Sequence, residues 1–340
     1  PLNWGLGHAA RCIPIINALI TEGFIPVIAS DGVALTLLRK EFPNLLSIEL
    51  PSYNVTYAKN GKHLKIKLLK DSPKLLKAIN AEKQAVKSIL EHHDIAGIIS
   101  DNRLGVRSKK VPSVFITHQL HVLSGSTTWL STKIHQNIIK KFDACWVPDM
   151  EGAFNLSGKL GHATSIDIPT KYIGPLSRFT KTDSNIKNDL MVLISGPEPQ
   201  RTFLEETLLR ELKDYPRKVI FVKGIMENEQ TIQVNEHMTV YNFMTSNLLE
   251  KTINESALII SRSGYTTVMD LAKLNKEAFF IPTPGQFEQD YLAKRLSEKN
   301  LAPSCNQDDF TLKKLDKIPT YNGLKSFDFE VDYKDLFSLF

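Results

Sequence analysis

The residues best suited to chemistry sit where apolar runs end and helices begin. Asn3-Trp4-Gly5-Leu6-Gly7-His8 forms a glycine turn that places an imidazole at the start of a predicted helix. The partial positive charge of a helix start disfavours imidazolium, and a neutral imidazole can take a proton from a hydroxyl. His8 is therefore the candidate general base, with capping or packing in the turn as its structural alternative. Asp101-Asn102 and His118 each follow a further apolar run. They are candidates for holding an acceptor or assisting the base, and loop capping is the equal alternative.

A second constellation lies in the other half of the chain. The apolar stretch Ile259-Ile260-Ser261 ends in Arg262-Ser263-Gly264, and a helical pattern begins at Tyr265. Free N–H groups of Gly264, Tyr265 and Thr266 would face a diphosphate there, with the Ser263 and Thr266 hydroxyls adding hydrogen bonds. Asp270, one turn on, is placed to accept from ribose hydroxyls. Gln289-Asp290 offers an amide beside a carboxylate, which suits a sugar. Ser195-Gly196-Pro197-Glu198-Pro199 is a weaker phosphate loop, because its two prolines remove N–H donors; a plain strand-to-helix turn is the alternative.

These positions need a scaffold that lines up strand ends. In the first half, strands are predicted at residues 24–29, 95–100, 113–117 and 144–147, with helices over 9–20 and 74–92. In the second, strands are predicted at 190–194, 218–222, 239–241, 257–261 and 278–282, with helices at 202–212, 247–253, 266–274 and 287–298. Such alternation predicts an α/β fold of two doubly wound, Rossmann-like domains facing a cleft, with ligands at the strand ends. The boundaries fall at 1–175 for the first domain, 176–188 for a linker, 189–310 for the second domain and 311–340 for a tail that packs back on the first. A strand normally precedes a glycine turn like that of Gly5 and Gly7, so a few residues are expected to be missing from the front.

Composition narrows the class. The 340 residues are 42% hydrophobic and 23% charged, which fits a folded two-domain protein. No apolar run reaches the roughly 18 residues of a spanning helix, and no basic-then-apolar leader is visible, so a cytoplasmic location is expected. Cys12, Cys145 and Cys305 are scattered and odd in number, which suits neither a disulfide framework nor zinc. No Asp-x-Asp, H-x-x-x-H or C-x-x-C occurs, so neither a metal nor another cofactor is expected. The formal charge of +5 does not by itself imply nucleic acid. Part of it is concentrated in Lys59, Lys62, Lys65, Lys67, Lys70, Lys74 and Lys77, interleaved with leucines. That stretch is either a solvated helix face or a surface resting on the anionic inner face of a membrane.

Taken together, the residues resemble the GT-B glycosyltransferases of family 28, typified by the peptidoglycan N-acetylglucosaminyltransferase that makes lipid II. The resemblance spans both halves and is most specific from Arg262 through Asp270 to Pro282 and Gln289. It implies a UDP-sugar donor, with Ser263, Gly264 and Thr266 at the diphosphate, Asp270 at the ribose, Gln289 at the sugar and Phe243 and Met244 at the uracil. It also implies that Gly7 and His8 lie near the acceptor and that transfer inverts the anomeric carbon. The chain departs from the family in carrying Asp270 where Glu is usual, prolines in the Gly196 loop, and no Asn after Gln289. Three other readings compete: a UDP-sugar epimerase on the same fold, a non-catalytic sugar-nucleotide-binding subunit, and an NAD-dependent oxidoreductase. The last draws on Gly5-Leu6-Gly7-His8-Ala9-Ala10, which matches G-x-G-x-x-A, with Asp31 ending the next apolar run.

Overall fold

The computed structural model describes residues 1–53, 64–162, 166–225, 232–234, 236–324 and 331–340; the side chains of residues 64–73 and 232–234 are outside that description. The chain divides into two units, Pro1–Leu176 with Phe329–Phe340, and Ser177–Asp328.

The first unit holds α1 (Gly7–Thr21), β1 (Ile28–Ser30), α2 (Gly32–Glu41), β2 (Ser47–Glu49), α3 (Leu64–His92), β3 (Ile98–Asp101), β4 (Ser113–Ile116), α4 (Thr128–Ile139), β5 (Ala144–Val147) and β6 (Thr170–Tyr172). β1 and β2 pair in parallel, and β3-β4-β5-β6 form a second all-parallel sheet. Pro1 and Leu2 link the two. Leu2 N donates to Asp101 O at 2.9 Å, and Ser30 Oγ donates to Pro1 O at 2.8 Å. β3 and β4 are in register with Asp101 beside Ile116, so the loops carrying Asp101 and His118 leave the sheet at the same edge.

The second unit contains β7 (Asn188–Leu193), α5 (Gln200–Glu211), β8 (Val219–Val222), β9 (Ile232–Val234), β10 (Met238–Tyr241), α6 (Ser246–Asn254), β11 (Ser256–Ser261), α7 (Tyr265–Lys273), β12 (Glu277–Phe280) and α8 (Phe287–Glu298). Its sheet runs β12-β11-β7-β8-β10-β9, parallel except for β9. Ser261 lies beside both Leu193 and Phe280. The loops after β7, β11 and β12 therefore emerge side by side, which is how a doubly wound sheet gathers a ligand site. Within residues 176–188, expected as a linker, the chain is tied to α6: Thr182 N donates to Asn254 Oδ1 at 3.2 Å and Asn254 Nδ2 donates to Thr180 O at 3.0 Å.

After the second unit the chain returns to the first through α9 (Tyr333–Phe337). Phe337 packs with Trp146 and Phe24, ring centroids 6.2 and 6.0 Å apart. Phe340 lies so close over Gly97 that a Cβ there would stand 2.0 Å from its ring, so a side chain at 97 would displace the ring. No helix of the described residues is long and apolar enough to cross a membrane.

Candidate active site

In the first unit, α1 and β3 assemble a buried polar cluster. His8 and Arg11 are three residues apart on α1 and so share a face. His8 Nδ1 lies 2.7 Å from Asp101 Oδ1, while Arg11 bonds both carboxylate oxygens, Nε to Oδ2 at 2.5 Å and Nη2 to Oδ1. Arg11 Nη1 also donates to His118 Nδ1 at 2.9 Å. His8 Nδ1 also lies 2.9 Å from Arg11 Nη2, which can only donate, whereas the Asp101 carboxylate can only accept; the tautomer with the proton on Nδ1 satisfies the shorter contact, to Asp101, and leaves a lone pair on Nε2. Burial lowers the His8 pKa most, the Arg11 charge lowers it further, and Asp101 pulls it up; the net shift is below the ordinary histidine value. Burial alone would raise Asp101, but the Arg11 and His8 charges and hydrogen bonds hold it well below the usual carboxylate range.

Of the two roles open to Asp101, holding an acceptor or assisting the base, its burial and its bonds from α1 favour the second, orienting His8. His118 is likewise buried and spends Nδ1 on Arg11. Asn102, in the left-handed region at φ 55°, turns the chain sharply between buried Asp101 and buried Arg103. Gly7 is the first residue of α1. Asp31, the carboxylate that a dinucleotide's ribose would need, is occupied by Arg103 Nη1 at 2.5 Å and Asn3 Nδ2 at 3.2 Å, which removes support from the oxidoreductase reading.

In the second unit the helix starts differ in what they leave open. At α5, Glu198 accepts from Thr202 N at 3.2 Å and Thr202 Oγ1 at 2.8 Å and pairs with Arg201 at 2.5 Å. Its carboxylate already sits where a phosphate was expected, so only Ser195 and Gly196, both exposed, remain available in that loop. The N-cap of α7 is Gly264, which supplies no side-chain cap, and the first turn carries no acidic residue. Gly264 faces open space: a Cβ there would meet nothing within 4 Å. Thr266 is partly buried on the first turn, and Asp270 is buried on the next. Burial pushes Asp270 up to about 6, against the opposing pulls of the Arg178 charge and the 2.6 Å bond from Ser177 Oγ.

Three expected donor contacts are committed to the protein itself. Arg262 is buried and donates to Ile281 O, Pro282 O, Gln200 O and Gln307 Oε1, bracing three loops from beneath. The Ser263 hydroxyl donates to Gln289 O at 2.8 Å. The Gln289 amide accepts from Thr283 N at 2.8 Å and donates to Gln286 Oε1 at 2.7 Å, so it shapes the loop before α8 rather than presenting itself to a sugar. Asp290 beside it is exposed. Phe243 and Met244, between β10 and α6, are half-buried. Arg11, Ser177 and Thr283 carried no local signal that singled them out in the sequence. Among the described residues no cluster of His, Cys, Asp or Glu could hold a metal ion.

Comparison with known proteins bears on the fold and the class of enzyme. Residues 201–319 match the glycosyltransferase family 28 C-terminal domain. An uncharacterised glycosyltransferase of Methanopyrus kandleri is 21% identical, covering 92% of this chain and 90% of its own length. The UDP-N-acetylglucosamine–N-acetylmuramyl-(pentapeptide) pyrophosphoryl-undecaprenol N-acetylglucosamine transferase of Buchnera aphidicola is 28% identical, over 63% of this chain and 58% of its own. Among solved structures, Acinetobacter baumannii MurG superposes with a TM-score of 0.54 at 16% identity, covering 93% of this chain and 86% of that one. The kitacinnamycin glycotransferase superposes with a TM-score of 0.59 at 12% identity, covering 92% and 86%. With the fold, the matched domain and the relatives in agreement, the chain is a glycosyltransferase of GT-B fold whose residues 201–319 match the family 28 C-terminal domain.

Proposed function

We propose that the chain transfers a hexose or N-acetylhexosamine from a UDP-sugar to a lipid-linked acceptor, inverting the anomeric carbon and using no metal ion. The observation that carries the donor half is the start of α7: a helix N-terminus without an acidic residue, whose N-cap Gly264 faces open space, with Asp270 one turn further on. Backbone N–H groups there neutralise a diphosphate, and Asp270 accepts from the ribose. Phe243 and Met244 are assigned to the base, Ser195, Gly196 and Thr266 to the phosphates and the sugar side. Arg262, Ser263 and Gln289 hold these loops in place. The uridine and the lipid-linked acceptor are those of the Buchnera relative's reaction.

On the acceptor side, His8 Nε2 takes the proton of the acceptor hydroxyl. The oxygen bonds to the anomeric carbon as the bond to the diphosphate breaks and UDP leaves. Asp101 keeps the imidazole in the required tautomer and stabilises the imidazolium that forms. Attack opposite the leaving group is what inverts the centre.

Lys74, Leu76 and Lys77 on α3 are exposed, whereas Lys59 and Lys62 lie outside the described residues, as do the side chains of Lys65, Lys67 and Lys70. This basic stretch is assigned to an anionic membrane surface, and vesicle sedimentation tests it: binding that ignores anionic lipid content refutes the assignment. The donor is tested by calorimetry with UDP, UDP-N-acetylglucosamine, UDP-glucose and NADH, with EDTA present. Binding of a UDP species supports the reading; binding of NADH alone overturns it. Loss of transfer in EDTA would refute metal independence.

A further inference from the structure

Two buried groups of the second unit lack the partners their chemistry calls for, and both belong to the loops that emerge around β11. The first is the Thr283 hydroxyl. Thr283 is 1% exposed and its backbone is fixed, since its N–H donates to Gln289 Oε1 at 2.8 Å and its carbonyl accepts from Gln286 N at 3.0 Å. Its Oγ1 nevertheless has no hydrogen-bond partner. Buried hydroxyls are normally paired, and an orphan calls for an explanation.

The second is the Arg262 guanidinium, also 1% exposed. Its four bonds all go to neutral acceptors: Ile281 O at 3.2 Å, Pro282 O at 3.0 Å, Gln200 O at 2.8 Å and Gln307 Oε1 at 2.6 Å. Nε has no partner. Burial lowers its pKa to about 10, so it stays charged at neutral pH, and no carboxylate among the described residues offsets it. An uncompensated buried cation raises the free energy of the empty protein and lowers that of a complex with an anion.

The neighbour of the Thr283 hydroxyl is Gly196, exposed and at φ 117°, while Arg262 reaches the Thr283 loop through Pro282 O. The nearest atom to the place a Cβ on Gly196 would occupy is Thr283 Oγ1, at 3.6 Å. The strand order β12-β11-β7 explains the meeting: the loops of the two strands flanking β11 reach each other across its end, above Arg262. A hydroxyl alone would serve a sugar or a phosphate equally well. The unbalanced guanidinium decides for an anion. Asp270 marks the ribose side of α7, so the phosphate at Gly264 is the one next to the ribose; the Gly196–Thr283 position belongs to the phosphate beyond it.

We propose that Thr283 is a donor-binding residue whose hydroxyl donates to the distal phosphate of a nucleoside diphosphate, with Gly196 leaving it room and Arg262 supplying the balancing charge from beneath. This rests on the donor reading above. It also accounts for the glycine, because any side chain at residue 196 would fill the space beside the hydroxyl.

The test is calorimetry on the full chain with UDP, UMP and inorganic pyrophosphate, comparing wild type with Thr283→Val and Thr283→Ser. Thr283→Val should weaken UDP and pyrophosphate about tenfold, the scale of one hydrogen bond to a charged group, and leave UMP unchanged. Thr283→Ser should bind as wild type. Because the hydroxyl is unpaired in the free protein, Thr283→Val should melt no lower than wild type; a clearly lower melting temperature would show a structural partner and overturn the proposal. Equal UDP affinity in wild type and Thr283→Val, or equal losses for UDP and UMP, would also overturn it. A wild type that binds pyrophosphate through Thr283 but no nucleotide refutes the donor reading and leaves the anion site standing. A wild type that binds none of the three refutes both.

Discussion

Asp270 changes charge inside the range where enzymes are assayed, because burial pushes it up to about 6. A carboxylate accepts two ribose hydrogen bonds, whereas the protonated acid accepts fewer. UDP affinity should therefore rise as pH increases through about 6 and level off above, and Asp270→Asn should flatten that dependence. Asp270→Ala should cost about 1.5–3 kcal/mol of UDP binding, read by calorimetry at pH 8. The stability effect has the opposite sense. A group whose folded pKa is raised stabilises the fold at low pH and loses that contribution as pH rises through the folded value, so Asp270→Asn should be at least as stable as wild type at pH 8 in urea titrations. His8 moves the other way, below its ordinary value, so the neutral base should persist below about pH 6.5 in the rate profile. Asp101→Asn removes the charge and the hydrogen bond that raise the His8 pKa, and it frees the tautomer. The acid limb should shift further down while kcat falls by about 10²–10⁴. His8 and Asp270 could be singled out in the sequence because each lies in a helix that follows a glycine turn, His8 at the start of α1 and Asp270 on the second turn of α7. Arg11 and Ser177 could not, since the residues they bond lie 90 and 93 positions away.

Elements were legible where apolar pattern and turn chemistry agreed. β11, α7, β12 and α8 fall within one or two residues of expectation, because an apolar strand ends in Ser263-Gly264 and the next in Pro282. β2 and β6 are three residues each, too short for alternation to register, and neither was predicted. α4 was not predicted either, and its exposed side explains why: Trp129 is 68% exposed, with Leu130 and Ile134 also facing out, which scrambles the one-sided pattern a surface helix usually shows. α5 shows the converse limit, for its first turn reads as open to an anion until Glu198 is seen accepting from Thr202 N, which leaves only Ser195 and Gly196 of the loop before it. At this scale Gly97 offers a direct test. Gly97→Ala sets a methyl 2.0 Å from the Phe340 ring and should destabilise the first unit by about 1–3 kcal/mol. Tryptophan emission reads that unit alone, because Trp4, Trp129 and Trp146 all lie in Pro1–Leu176.

For the molecule as a whole, the alternation of strands and helices implied two doubly wound units, and the division after Leu176 falls at the Gly174-Pro175 break. The return of the chain to the first unit is marked in the sequence by little more than Phe337 and Phe340, since aromatic residues near a terminus carry no period. Unit two is continuous in sequence, and unit one is not. Residues 177–328 expressed alone should therefore fold and bind UDP with an affinity close to that of the full chain, whereas residues 1–176 alone should lack the α9 contacts and aggregate. Calorimetry on the first fragment and sedimentation of the second check both statements.

That discontinuity sets an order of events during synthesis. Trp146 and Ile173 leave the ribosome well before the segment that covers them, since Leu336, Phe337 and Phe340 complete their apolar cluster. At about 5–20 residues per second the intervening stretch takes on the order of ten seconds to make. Through that interval the earlier unit is left open on one face while the later one can close, so the half of the enzyme made first is finished last, and a chaperone has time to find it.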